Sequence, residues 1–257
     1  MLDIYEEIAR ITAEGGEAAL ATVVSASGST PREIGAKMLV RADGSILGTI
    51  GGGSIEAQVI EHAIGVIRQG QPRQFHFSLT GQEGELNMIC GGNIDVFIEP
   101  ILPSPTLYIF GAGHVSLSLA KIGKLLGFKV AVIDDRAEFA NPQRFPETEL
   151  ILTEEFSTAF SKIKINKSSY IVIVTRNHQC DELVLELALK TAAKYIGMIG
   201  SKTKNKAIFS HLLAKGISQE LLDKVHAPIG LEIHAQTPEE IAVSILAEVV
   251  KVRRFPT

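Results

Sequence analysis

Apolar positions along this chain follow two periods in turn, and their alternation marks out the elements. Leu2, Ile4, Tyr5, Ile8 and Ile11 share one face of a helix that stops at Gly15-Gly16. Residues 18–25 then read as a strand, and 37–41 and 45–50 as two more joined at Asp43-Gly44, a hairpin signal. A helix from 55 to about 69 follows with Ile55, Val59, Ala63 and Ile67 inward, then strands at 74–79 and 94–99. Pro100, Pro103 and Pro105 read as a stiff linker. Beyond it, apolar runs at 107–110, 128–133, 149–152, 170–174 and 195–199 alternate with helical segments. In the first of those helices Val115, Leu119, Ile122 and Leu126 share a face and Gly127 stops it; another runs to about 192. The last, 241–250, is opened by Thr237-Pro238-Glu239-Glu240, a capping box with proline at the first helical position. Strands alternating with helices predict a parallel, doubly wound sheet. The expectation is an α/β protein: an α+β or α/β domain over residues 1–100, then a Rossmann-like domain over 106–257.

Bulk properties narrow the class. The 257 residues are 46% apolar and 21% charged, enough to bury a core. A net charge of −4 with no basic run argues against nucleic acid or a membrane surface as partner. Cys90 and Cys180 lie far apart, which fits a reduced cytoplasmic protein without a disulfide framework. The acidic, amphipathic start is not a signal peptide, and no apolar stretch approaches transmembrane length.

Candidate chemistry sits where glycines cluster. Gly111-Ala112-Gly113 follows a strand and precedes a helix opened by His114 and Val115, an arrangement whose free N–H groups hold an anion. Asp134, 21 residues past Gly113, closes the next strand with Asp135 and Arg136 and is placed to accept from a ribose. His178 and Ser201 fall at the C-terminal ends of later strands, where ligands of such sheets bind; His178 with Asp181 reads as an acid–base pair, or Asp181 as a helix N-cap. In the first half, Gly51-Gly52-Gly53-Ser54, with Glu56 after it, reads as an anion nest or as a tight turn capped by Ser54. It lacks the lysine of a P-loop. Thr30 and Arg32 lie on a loop where a guanidinium can fork onto phosphate or simply be solvated. Cys90, followed by Gly91 and Gly92, is either a small buried hydrophobe or a thiolate suited to a soft metal or to sulfur transfer.

Taken together these stretches resemble the XdhC/CoxI family of molybdenum-hydroxylase maturation factors. The resemblance rests on GSTPREIGAKMLV (28–40), GTIGGGSIE (48–56), CGG (90–92), FGAGHV (110–115), DDR (134–136), TRNHQCDELVL (175–185), YIGMIGSKTK (195–204) and PIGLEIHAQTPEEIAVSILAE (228–248). Ser116 stands where a glycine or similar small residue is common, and Asn177 where glycine is usual. The resemblance implies a cytoplasmic homodimer that binds the molybdenum cofactor (molybdopterin), assists its sulfuration with a cysteine desulfurase, and delivers it to a molybdenum-hydroxylase apoenzyme resembling xanthine dehydrogenase. It implies a chaperone rather than a catalyst, with Cys90 as a ligand to molybdenum. The rival expectation is an NAD(P)-dependent oxidoreductase, or a nucleotide-sensing module, working through the second domain.

Overall fold

The opening helical pattern becomes α1 (Leu2–Ala13), and the chain turns at Gly15-Gly16 into β1 (Ala18–Ser27), the middle strand of a five-stranded sheet. β2 (Lys37–Arg41) and β3 (Ile46–Gly48) form the expected hairpin, closed by Asp43, which accepts from the Ser45 N–H and hydroxyl. α2 (Gly53–Gln69), β4 (Arg73–Ser78) and β5 (Asn93–Ile101) complete the layer. Every pairing is antiparallel in the order β3-β2-β1-β5-β4, which makes this half α+β. One face packs Ala19, Ala21, Val23, Met38, Val40 and Val96 against Ile55, Val59, Ala63, Val66 and Ile67 of α2. On the other face Ala18, Leu20 and Leu39 meet Ile4 and Ile11 of α1. Each buried Val, Leu, Ile or Met side chain among these contributes about 1.5–3 kcal/mol, and each alanine less.

The strand β5 runs through Pro100, so that proline belongs to the sheet and not to the linker expected from composition. Pro100 pairs with Ala19 on the β1 side, whereas the β4 ladder has already ended at Ile98. A residue without an N–H is tolerated where one neighbour is missing. The structure, a computed structural model, describes residues 2–30, 32–78 and 92–254. The chain divides into two compact units, Met1–Pro103 and Ser104–Thr257.

In the second unit β6 (Thr106–Phe110), α3 (His114–Leu125), β7 (Lys129–Ile133) and β8 (Leu150–Leu152) lead to α4 (Phe156–Lys162) and β9 (Ser169–Ile173). Then come α5 (His178–Ala188), β10 (Tyr195–Met198), α6 (Lys202–Ala214), α7 (Gln219–Leu222) and α8 (Pro238–Arg254). The sheet is parallel in the order β10-β9-β6-β7-β8, so the chain reverses its winding direction between β6 and β9. Apolar cores lie on both faces, one containing buried residues of α3 and α8, the other of α4, α5 and α6. The capping box at Thr237 forms as read: Glu240 N–H donates to Thr237 Oγ1 at 3.2 Å, and Thr237 N–H to Glu240 at 3.1 Å.

Of the expected face of α3, Leu119 is buried and Val115 and Ile122 pack half-buried against the core, but the face is centred elsewhere. Ser116, Leu119, Ala120 and Gly123 are buried, whereas Leu126 is 39% exposed. Small residues face the sheet because the helix lies close to it: a Cβ at Gly123 would come within 2.8 Å of Leu107. Lys121 and Leu125 are left on the outer side, while Leu117 packs half-buried against the core.

Candidate functional site

In the first unit, strand register brings the candidate loops to one edge of the sheet. Ser27 pairs with Asn93 and Asn93 with Ser78; Thr22 pairs with Lys37 and Met38 with Gly48. The loop after β1 carrying Thr30 and Arg32, the turn after β3 carrying Gly51, Gly52 and Gly53, and the start of β5 at Gly92 therefore leave from the same side. Gly92 is buried against the first of these, since a Cβ there would lie 2.6 Å from the carbonyl oxygens of both Ser27 and Ser29. Cys90 and Gly91 lie outside the described residues. Thr30 turns its hydroxyl to the Arg32 carbonyl at 3.1 Å, and the Arg32 side chain is exposed.

The glycine turn is organised around a carboxylate of the chain itself. Glu56 Oε1 accepts the Gly52 N–H at 2.9 Å and the Thr49 hydroxyl, whose oxygen also takes the Gly51 N–H at 3.2 Å. Burial pushes the Glu56 carboxyl up, but the Thr49 hydroxyl and the amides of Gly52, Ile50 and Gly51 outweigh it and hold the group below its usual value. Gly52, not Ser54, is the residue before the first helical turn, and its φ of 79° suits glycine. Ser54 is exposed. So the nest expected for an outside anion has Glu56 as its internal one, and the acceptor it presents at this edge favours donors over phosphate.

The second edge lies at the C-terminal ends of the parallel strands. The turn after β6 runs so close to β9 that a Cβ on Gly111 would collide with the Val174 carbonyl. Asp134 is 1% exposed and is spent on its neighbours. Its oxygens accept the Ala112 N–H at 2.8 Å and the Arg136 N–H at 3.1 Å, and a two-pronged contact from the Arg136 guanidinium at 2.9 Å. Arg136 in turn stacks over Phe139, and the Arg144 guanidinium, which donates to the Ala112 carbonyl at 3.2 Å, approaches the same ring. Asp135 is bridged by Arg176 from the end of β9, which holds its carboxyl below the usual range.

The helices α3, α5 and α6 start at this edge, after β6, β9 and β10. Asn177 caps α5 by accepting the Cys180 N–H at 2.9 Å, so the N-cap is Asn177 and not Asp181. Asp181 is fully buried instead, accepting the Thr175 hydroxyl at 2.6 Å and Lys204 Nζ at 2.6 Å, which ties α5 to α6. Ser201 caps α6 through the Lys204 N–H. No side chain caps α3, where Gly113, His114 and Val115 begin the first turn. His178 is exposed at the head of α5. The acid–base pairing of His178 with Asp181 is not formed, because Lys204 and Thr175 hold the acid. The Asp135–Arg176 and Asp181–Lys204 pairs join residues 41 and 23 positions apart, beyond any local sequence signal. Among the described residues no group of three or more His, Cys, Asp or Glu is placed to hold a metal ion, and no helix is long and apolar enough to cross a membrane.

Residues 107–249 match the XdhC Rossmann domain and residues 11–78 the XdhC and CoxI family. Uncharacterized protein YqeB of Escherichia coli K12 is 37% identical over 254 residues, covering 98% of this chain and 46% of that protein. A Bacillus subtilis 168 protein, named as a probable subunit of xanthine dehydrogenase, is 30% identical over 160 residues, 62% of this chain and 46% of that one. The chain thus spans about half the length of these two relatives. The molybdenum cofactor insertion chaperone PaoD of E. coli K12 is 22% identical, with 98% of this chain and 90% of PaoD aligned. A crystal structure of a xanthine dehydrogenase from Bacillus halodurans shares the fold, with a TM-score of 0.55 at 22% identity over 98% of this chain and 96% of that one.

Proposed function

Since the chain belongs to the XdhC and CoxI family, we propose that it is a maturation factor for a molybdenum hydroxylase of the xanthine dehydrogenase kind. It takes the molybdenum cofactor as cargo, supports its sulfuration with a cysteine desulfurase as sulfur donor, and hands it to the apoenzyme. The observation that carries this reading is the gathering, at one edge of the first sheet, of the loops bearing Thr30 and Arg32, Gly51–Glu56 and Gly92. Cys90 precedes Gly92 by two residues and supplies the soft ligand that a molybdenum centre with sulfur ligands accepts. The names of two relatives point the same way: one is called a molybdenum cofactor insertion chaperone, the other part of a probable xanthine dehydrogenase.

Against the oxidoreductase alternative, both expected ribose acceptors already hold partners of their own, Asp134 with Ala112 and Arg136 and Asp135 with Arg176. The test is purification under reducing, anaerobic conditions, followed by molybdenum analysis, pterin fluorescence after oxidation, and calorimetry with NAD(H). Retained pterin and molybdenum without turnover support the proposal. Tight NAD(H) binding with substrate-dependent reduction, and no pterin, overturns it.

A further inference from the structure

A pocket of about 230 Å³ lies in the second unit between α3 and residues 144–148. Its apolar lining runs from core to surface: Ala120 and Phe145 are buried, Leu117 packs half-buried against the core, and Leu125 is exposed. The 144–148 stretch is held by its own turns. Asn141 accepts the Arg144 N–H at 3.1 Å, and the Thr148 hydroxyl donates to the Phe145 carbonyl at 2.9 Å. The pocket is therefore formed before anything enters it. An apolar cavity of about 150 Å³ takes up benzene, so this volume holds a ring with a substituent.

The polar part of the lining selects that substituent. Arg144 lines the pocket and pairs with no carboxylate among the described residues. Its Nη2 donates to the Ala112 carbonyl at 3.2 Å and its guanidinium lies 5.0 Å from the Phe139 ring, but its Nε is buried with no acceptor. A buried cationic donor without an acceptor is destabilising, and an oxyanion beside the guanidinium relieves it. Lys121 and Glu147 also line the pocket, are exposed, and have no ion-pair partner among the described residues. Two cations against one acid leave the lining positive. We propose that this pocket binds a small monocarboxylate with a compact apolar body, an aromatic or branched-chain acid. Arg144 takes the carboxylate, and Leu117, Ala120, Leu125 and Phe145 take the body. These residues belong to the other unit from those assigned to the molybdenum cofactor, so the site stands or falls independently of that reading.

NMR titration of the isotope-labelled full chain with benzoate, 3-methylbutanoate and hexanoate, against benzyl alcohol, tests this. At least one acid is expected to bind, with amide shifts centred on Ala120, Leu125 and Thr148. Benzyl alcohol is expected to bind about tenfold or more weakly, the difference made by a hydrogen bond to a charged group. Arg144→Gln is expected to weaken the best acid by a similar factor. Lys121→Glu should weaken it and Glu147→Gln should tighten it, two changes at exposed positions that leave the circular dichroism spectrum unaltered. A wild type that binds none of the acids overturns the proposal. So does shift of amides elsewhere only, equal binding of acid and alcohol, or a folded Arg144→Gln protein of unchanged affinity. Should Arg144→Gln fail to fold, an affinity indifferent to both Lys121→Glu and Glu147→Gln overturns it.

Discussion

Glu56 Oε1 lies 2.9 Å from the Gly52 nitrogen, so an acid from the first turn of α2 reaches back to bind the backbone just ahead of its own helix. Thr49 closes the loop from the other side. This contact explains the glycines differently from a phosphate site: the chain must curl tightly enough for its own carboxylate to be the anion.

Glu56→Ala is expected to cost about 1 kcal/mol in urea denaturation, the usual worth of a helix-capping interaction. The carboxyl titrates below its ordinary value in the fold. Its stabilisation is therefore complete above the unfolded value of about 4.3 and is lost as pH falls through the depressed folded one. Stability profiles of wild type and variant should converge on the acid side. Removing the carboxylate also returns the Gly52 N–H to outside anions. Phosphate is expected to raise the melting midpoint of Glu56→Ala more than that of wild type. Equal shifts would show that the nest is not where the anion competes.

Much of the fold was legible because it rests on local signals. The Asp43-Gly44 hairpin, the α2 face of Ile55, Val59, Ala63 and Ile67, and the Thr237 capping box each depend on residues within a few turns of one another. The centre of the α3 face was not legible, although Val115, Leu119 and Ile122 do pack in the core, because Ser116, Ala120 and Gly123 carry little hydrophobicity while their smallness is what brings the helix close to β6. The use of Asp134 and Asp181 was illegible for another reason. A buried carboxylate and a ribose acceptor look alike in sequence, and only the approach of Arg136 and Lys204 in space separates them. Glu56 was legible as a site residue but not as the occupant of the nest.

The Asp181–Lys204 bridge gives a second test. Lys204→Met strands a fully buried carboxylate whose remaining partner is Thr175, and is expected to cost about 3 kcal/mol. Asp181→Asn should cost a comparable amount. Because each single change wastes the other group, the double variant is expected to cost clearly less than the two added together. Additive losses in a denaturation cycle would mean that the two helices are held by packing alone.

A third concerns Glu248 of α8. Its carboxylate accepts the Tyr195 hydroxyl at 2.6 Å and the Gly230 N–H at 3.0 Å, and His226 Nδ1 lies 3.2 Å away. Burial raises this carboxyl, but His226, Tyr195 and Gly230 together hold it below its ordinary value. Tyr195→Phe is expected to cost about 1.5–3 kcal/mol at neutral pH, the worth of a hydrogen bond to a charged group. Losing that donor moves the folded value of the carboxyl up towards the unfolded one. The gap between wild type and variant should therefore narrow as pH falls through the depressed value. A gap independent of pH would locate the cost in packing of the ring.

The last prediction separates the thiol of Cys90 from the backbone beside it. Gly92→Ala places a methyl group against the carbonyls of Ser27 and Ser29 and is expected to cost about 1–3 kcal/mol, with any loss of cofactor following the loss of fold. Cys90→Ser keeps the size of the side chain but exchanges a soft, ionisable ligand for a hydroxyl that stays protonated near neutral pH. If the thiolate binds molybdenum or carries sulfur, Cys90→Ser keeps the wild-type melting midpoint yet loses molybdenum, pterin and the power to activate an apoenzyme. Cys180→Ser, in the second unit, should lose none of these. Melting midpoint and bound molybdenum measured on all three variants decide the matter. A well-folded Cys90→Ser protein with full cofactor content ends the thiolate hypothesis and leaves recognition to the Glu56 turn and Arg32.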